Sequence, residues 1–404
     1  MKIYIVTYGA VHVNITIAMA RAYQKAGDEF VILAMPAAIK ALENNNIPFL
    51  TLRDYAGLFP EWDAINTIGQ NLARQYHNHE SGISFDVTSD YYGVSMHCLI
   101  NELGAEEAWK RFQMEGRKAF MPVEAMKRIL QHEKPDVLQV TCDVRMELAA
   151  VMAAKELGIV SFNILDAPHV LKKPVADYHL LINEDVKSKY IEASIEPHRL
   201  VVTGQPVFES YHRFCAHREK PKVLADLHLT EEQEPLVTYI SRPACSDITD
   251  VVRHIINIAK QKPWNFVIKL HPTGQNISDF DTLACDIPSN LRIVKDYYTA
   301  GLLAASDVVL VHDSVCGLEA LLMKKPLVVI DLPSISLSLD YYSKGAAVFV
   351  KDVCDLEEAI TNALYDDSTK NALLKACEQY ESSSNATQNI IAFVHGLSGQ
   401  MHKS

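Results

Sequence analysis

The sequence predicts an α/β protein built from two parallel-sheet domains, and three observations point there. Short apolar runs alternate with amphipathic stretches along both halves of the chain, the pattern of strands joined by crossover helices. The run Val308-Val309-Leu310-Val311 gives way to His312-Asp313-Ser314, then to Leu318, Leu321 and Leu322 at helical spacing, and a second apolar run begins at Leu327. The length, 404 residues, exceeds what one core usually organises, so two domains of roughly 150–200 residues are expected.

In the first half, a strand over 2–8 leads through a loop over 9–14 into a helix over 15–26. Asn14 is its expected N-cap and Gly27 its C′ residue. A strand over 29–35, a short helix over 36–43 and a third strand over 48–52 follow. Residues 55–125 read as a less regular insertion holding Phe59, Trp62, Tyr76, Tyr91 and Tyr92. Such rings suit an acceptor site or a lid with its own small core, and the residues leave both open. Beyond the insertion come a helix over 120–132, strands over 135–141 and 159–164 around a helix over 147–157, and short strands over 178–182 and 200–203. Gly204-Gln205-Pro206 closes a first domain spanning 1–205.

The second domain spans 206–384. It opens with a polar helix and linker over 211–222. Strands are expected over 236–240, 265–270, 291–294, 308–311, 327–331 and 346–350. Helices are expected over 248–259, 300–305 and 356–364, and from Gly317 onward. An amphipathic helix over 385–396, with Ile390, Ile391 and Val394 apolar, ends the chain.

Composition narrows the function. The 38 basic and 50 acidic residues give a net charge of −12, and no basic arm is present, which argues against nucleic-acid binding. No apolar run has membrane-spanning length, and the first residues form a strand rather than a secretion signal. A cytoplasmic protein is expected, with peripheral membrane association left open. The eight cysteines are scattered without a CxxC pair, as expected of reduced thiols, and His77 and His79 do not share a helix face. No metal site and no resident cofactor are expected.

The candidate site residues lie where strands end. Ligands of open α/β sheets gather at the carboxyl ends of strands. His12 occupies the first such turn, with an imidazole suited to general base catalysis, although a loop histidine bonding to backbone fits the same position. Asp143 and Asp166 follow two later strands and can orient His12 or bind hydroxyls; for each taken singly, helix capping, which Asp143 would do well, is the simpler expectation. In the second half, three turns carry phosphate-compatible groups: Ser241-Arg242, His271-Pro272-Thr273, and Ser314 at a helix start. Arg242 offers a charged fork, His271 a donor, and Ser314 a hydroxyl beside free helix N–H groups. Glu319 can accept from ribose hydroxyls. No P-loop is present, and no GxGxxG follows the first strand.

These residues resemble a known superfamily, the GT-B fold of nucleotide-sugar glycosyltransferases, which also houses non-hydrolysing UDP-N-acetylglucosamine 2-epimerases. Residues 9–48 are similar to the first loop and helix of GT-B transferases, where a histidine can be the acceptor base, here His12. The stretch from Pro135-Asp136 through Cys142-Asp143 to Leu157-Gly158-Ile159 resembles the epimerase PD…GD…LGIP pattern and puts Asp143 on a catalytic aspartate. Val202-Thr203-Gly204-Gln205-Pro206 resembles the epimerase hinge. His271-Pro272 resembles the HP motif of capsule, Kdo and glycerophosphate transferases. Residues 314–326, with Ser314, Gly317, Glu319 and Pro326, resemble their S-x-x-G-L-E-A-L-x-x-x-K-P segment, where Ser314 would hold phosphate and Glu319 the ribose.

The resemblance implies two Rossmann-like domains facing across a cleft, with the terminal helix over 385–404 crossing back to the first. It implies a UDP- or CMP-linked sugar donor on Ser241, Arg242, His271, Thr273, Ser314, Gly317 and Glu319. The acceptor would be a glycan, a lipid-linked sugar or a small molecule. His12, Asp143, Asp166 and His271 would be catalytic. Three positions depart from the epimerases: Ser241-Arg242 stands where they carry a histidine, Val315-Cys316 replaces paired glycines, and Leu165-Asp166 replaces a catalytic glutamate. Metal-independent glycosyl transfer is therefore the expected activity, with 2-epimerisation or hydrolysis of the nucleotide sugar as the alternative.

Overall fold

The computed structural model describes residues 1–9, 11–78, 82–214, 216–230, 235–242, 248–272, 275–312, 314–332, 344–380 and 382–401. The chain divides into two compact units, Met1–Val207 with Asn385–Ser404, and Phe208–Ser384.

Unit 1 holds a parallel sheet of β1 (Lys2–Thr7), β2 (Glu29–Ala34), β3 (Val137–Val140), β4 (Val160–Ile164), β5 (Tyr178–Leu181) and β6 (Leu200–Val202), in the order β2-β1-β3-β4-β5-β6. Side chains alternate across a strand, so β1 feeds two cores. Ile3 and Ile5 pack with the Val11–Ala26 helix and with Ile390, Val394 and Leu397 of the terminal Ala386–Met401 helix. Tyr4 and Val6 pack toward the insertion. The terminal helix is held further by Asp28, whose carboxylate accepts from the Met1 ammonium at 3.0 Å and pairs with His395 Nε2 at 2.8 Å.

Three expectations for this unit are corrected. The first helix starts at Val11, so Asn14 lies inside it, exposed, and caps nothing. Residues 48–52 form no strand; Leu50 makes one parallel bridge to Leu33, and Leu52–Leu58 already turns as a 3-10 helix. The supposedly irregular insertion is helical, with helices at Trp62–Tyr76, Phe85–Leu103 and Ala105–Glu115. Its rings build a core: Tyr91, Tyr92, Phe112 and Phe120 lie within 5.2–6.3 Å of one another in the pairs they make. The first two of these helices touch through glycines. A Cβ on Gly69 would strike the Ser89 carbonyl oxygen, and one on Gly93 that of Ile65.

Unit 2 holds β7 (Leu236–Ile240), β8 (Asn265–Lys269), β9 (Leu291–Val294), β10 (Val308–Val311), β11 (Leu327–Ile330) and β12 (Val348–Val350), all parallel, in the order β12-β11-β10-β7-β8-β9. Its inner strands are buried on both faces, as their predominantly apolar runs require; the one polar residue of β7, Thr238, accepts from the Ser306 hydroxyl at 2.6 Å. The Ile248–Gln261 and Leu356–Tyr365 helices cover one face. Leu302, Val223 and Leu224 cover the other.

Each sheet has one point where strand order reverses, between β1 and β3 in unit 1 and between β7 and β10 in unit 2. Crevices open at such points beyond the carboxyl ends of the strands.

Candidate functional site

In unit 1, the chain leaves β1 through Tyr8 and Gly9. A Cβ at Gly9 would stand 2.5 Å from the Ala37 carbonyl oxygen, so glycine alone lets the turn lie this close. The helix from Val11 then puts His12 at the reversal point. Its Nε2 lies 3.9 Å from Asp166 Oδ2, beyond β4, and both side chains are about one-fifth exposed. His12 Nδ1 is buried with no hydrogen-bond partner. The two residues line up as a base and a carboxylate that can stabilise its protonated form.

Glu147 completes this corner and was not anticipated. It is fully buried in the first turn of the Arg145–Leu157 helix. Its carboxylate accepts from the backbone N–H groups of Tyr8 (3.3 Å), Thr141 and Cys142 (2.8 Å), and from the Thr141 hydroxyl. It therefore ties the end of β1 to the end of β3. Burial raises its pKa, and nearby His12 opposes that rise. Polar atoms of His12, Cys142 and Glu147 lie within 4.8 Å of one another. The Glu147 oxygens are already engaged by these donors, so the trio reads as a hydrogen-bonded corner rather than a metal cage. The one sequence signal was a carboxylate in a helix otherwise rich in alanine and leucine.

Asp143 does not cap the following helix; Val144 occupies the cap position. The Asp143 carboxylate instead accepts from the Lys173 backbone N–H at 2.7 Å and pins the 165–177 segment. A cavity of about 700 Å³ opens beside His12, lined by Tyr8, Gly9, Tyr76, Tyr91, Tyr92 and Arg145 among others. The insertion's rings form the small core that was one of the two expectations, and Tyr76, Tyr91 and Tyr92 also line this cavity.

In unit 2, Gln275 organises the ends of β7 and β8. Its Nε2 donates to the Ser241 hydroxyl oxygen at 2.8 Å and to the Arg242 carbonyl at 2.9 Å, while its Oε1 accepts from the His271 N–H at 2.8 Å. Ser241, Arg242 and His271 are so brought together. Arg242 Nη1 is buried without a hydrogen-bond partner, a guanidinium N–H available to an anion. Sequence reasoning missed Gln275, because no spacing rule marks a glutamine four residues beyond a strand-end histidine.

Ser314 follows the adjacent strand β10. Its helix begins at Val315, two residues earlier than expected, and its hydroxyl oxygen accepts from Cys316 N at 3.2 Å as the N-cap. Gly317 is buried within this helix. Glu319 is held by hydrogen bonds from Tyr211 and Cys316, and burial raises its pKa. Thr273 lies outside the described residues.

Comparison with known proteins bears on the fold and on part of the sequence. Residues 185–338, which include Ser241, Arg242, His271, Ser314 and Glu319, match the family described as capsule polysaccharide biosynthesis protein. The structure resembles UDP-GlcNAc 2-epimerase from Neisseria meningitidis, solved with UDP-GlcNAc, at 16% identity and a TM-score of 0.65, covering 98% of this chain and 100% of that one. The fold is GT-B. Within GT-B the chain also resembles a glycosyltransferase from Rickettsia africae ESF-5 (12% identity, TM-score 0.57, 97% of each chain). MurG from Acinetobacter baumannii is a further likeness (14% identity, TM-score 0.56, 98% of this chain and 100% of that one). A search of curated proteins by sequence finds no match. Among the described residues no helix is long and apolar enough to cross a membrane.

Proposed function

We propose that the protein is a glycosyltransferase that moves a sugar from a UDP- or CMP-linked donor to an acceptor hydroxyl in glycan or polysaccharide biosynthesis. The observation that carries this reading is the His12–Asp166 pair, 3.9 Å apart, beside an open pocket at the strand-order reversal of unit 1. His12 takes the proton of the acceptor hydroxyl, and Asp166 stabilises the imidazolium that forms. The acceptor oxygen bonds to the anomeric carbon as the bond from that carbon to the nucleotide phosphate breaks. Arg242, His271 and the helix start at Ser314 stabilise the departing phosphate.

The alternative is epimerisation or hydrolysis of the nucleotide sugar itself. Transfer is favoured because Asp143, which the epimerase resemblance makes catalytic, is engaged by the Lys173 amide.

A thermal-shift panel of UDP, CMP, CDP and GDP compounds tests the nucleotide site, since a ligand specific to the folded state raises its melting temperature. The donor found is then incubated with and without acceptor. The expected result is product only with acceptor, reduced about 100-fold or more in His12→Ala, with the nucleotide-induced shift retained. Turnover of donor alone supports the alternative, and full activity of His12→Ala ends the assignment of that residue as the base.

A further inference from the structure

The basic residues beside the His12 cavity have no assigned role. We propose that unit 1 carries an anion-binding subsite, formed by Arg117, Lys118, Arg145, Lys172 and Lys173, that takes the carboxylates of an acidic sugar chain presented as acceptor. The proposal rests on the reading of unit 1 as the acceptor side.

These five cations line one cavity of about 550 Å³. The chain as a whole carries a net charge of −12, so this concentration of positive charge runs against its composition. None of the five forms an ion pair among the described residues. The two carboxylates that share the cavity wall each have a partner other than the five cationic side chains. Glu115 pairs with Arg111 at 3.3 Å, and Asp143 accepts from the Lys173 backbone N–H at 2.7 Å. That second bond fixes the segment that brings Lys172 and Lys173 to the cavity. Like charges so gathered repel one another, and an anionic ligand removes the repulsion.

Arg145 adds an independent observation. Its φ is +48°, a left-handed conformation that strains a non-glycine residue, and such strain concentrates at functional sites. Its guanidinium lies 4.6 Å from the centre of the Tyr8 ring. Arg117 and Arg145 line both this cavity and the one containing His12. An acceptor with its reactive hydroxyl at His12 therefore continues directly into the basic cavity. A narrow chain reaches half-buried Arg145 within a concavity, whereas a flat bilayer surface does not.

The test measures binding of tetragalacturonic acid, of uncharged galactotetraose and of phosphatidylglycerol vesicles to the full chain by calorimetry and sedimentation. Tetragalacturonic acid is expected to bind, more weakly as salt rises. The triple variant Arg117→Ala, Lys172→Ala, Lys173→Ala, at exposed positions, is expected to lose at least tenfold in affinity, while Arg145→Lys retains most of it. The melting temperature of each variant checks its folding. Equal binding of galactotetraose, capture by vesicles alone, or no loss in the triple variant overturns the proposal. The nucleotide-induced thermal shift is followed in the same variants. If the wild type shows none, the transferase reading fails independently, whatever the sugar chains do.

Discussion

The amide of Gln275 meets the hydroxyl of Ser241 at 2.8 Å, and through that bond the turns after β7 and β8 become one structure. Gln275 is 5% exposed, and Ser241 3%. Gln275→Leu leaves the His271 N–H and the Arg242 carbonyl without this partner, at a cost of about 1–3 kcal/mol. Because the same bonds position Arg242, the variant should lose most of the thermal shift produced by the cognate nucleotide. Comparing the melting temperature with and without nucleotide separates the two effects.

Glu147→Gln replaces a buried acceptor of several hydrogen bonds by a group whose NH₂ end can only donate. At least one of the Tyr8, Thr141 and Cys142 donors then faces another donor. We expect a loss of about 2–3 kcal/mol in urea unfolding, since hydrogen bonds to charged groups are the strong ones. The pH–rate profile of the variant should also shift, because a negative neighbour of His12 has been removed. An unchanged profile would separate Glu147 from the chemistry and leave it a purely structural clamp.

His179 lies on β5 with no exposure, and burial pushes its pKa down to about 4. The unfolded chain binds this proton near pH 6.5, whereas the folded one does so only near 4. The contribution of His179 to folding stability is therefore complete above about pH 6.5 and declines as the pH falls toward 4, by roughly 3 kcal/mol in all. Chemical denaturation across that range should show the slope, and His179→Phe should flatten it.

Gly93→Ala adds a methyl group where the Trp62–Tyr76 and Phe85–Leu103 helices touch backbone to backbone. The added atom meets a carbonyl oxygen that has no rotamer to escape into. A destabilisation of about 1–3 kcal/mol is expected in denaturant titrations. Gly57→Ala, with open space around its Cβ position, serves as the control and should stay near the wild type.

The strands were readable because burial on both faces leaves predominantly apolar runs, and Leu236–Ile240 and Val308–Val311 appear with the expected bounds. The stretch 48–52 misled because an apolar run after Pro48 looks alike whether it makes a full ladder or the single Leu33–Leu50 bridge. The insertion misled in the opposite sense, since its closely spaced aromatics serve a local ring core and blur the 3.6-residue pattern. His12, Arg242 and Ser314 do lie just beyond strand ends, because the order of strands and helices fixes that placement. Gln275 and Glu147 escaped because they act through hydrogen bonds across the fold, which leave no spacing in the chain. Asp143 showed why a strand-end carboxylate is ambiguous: the amide it captures is thirty residues away.

The reciprocal contact of Gly69 and Gly93 reaches beyond packing. Tyr76, Tyr91 and Tyr92 ride on the same two helices and wall the cavity beside His12. With no slack between those helices, that wall cannot widen to admit a bulkier guest. In the proposed transferase, discrimination among acceptors by girth would thus be set in advance by two missing methyl groups.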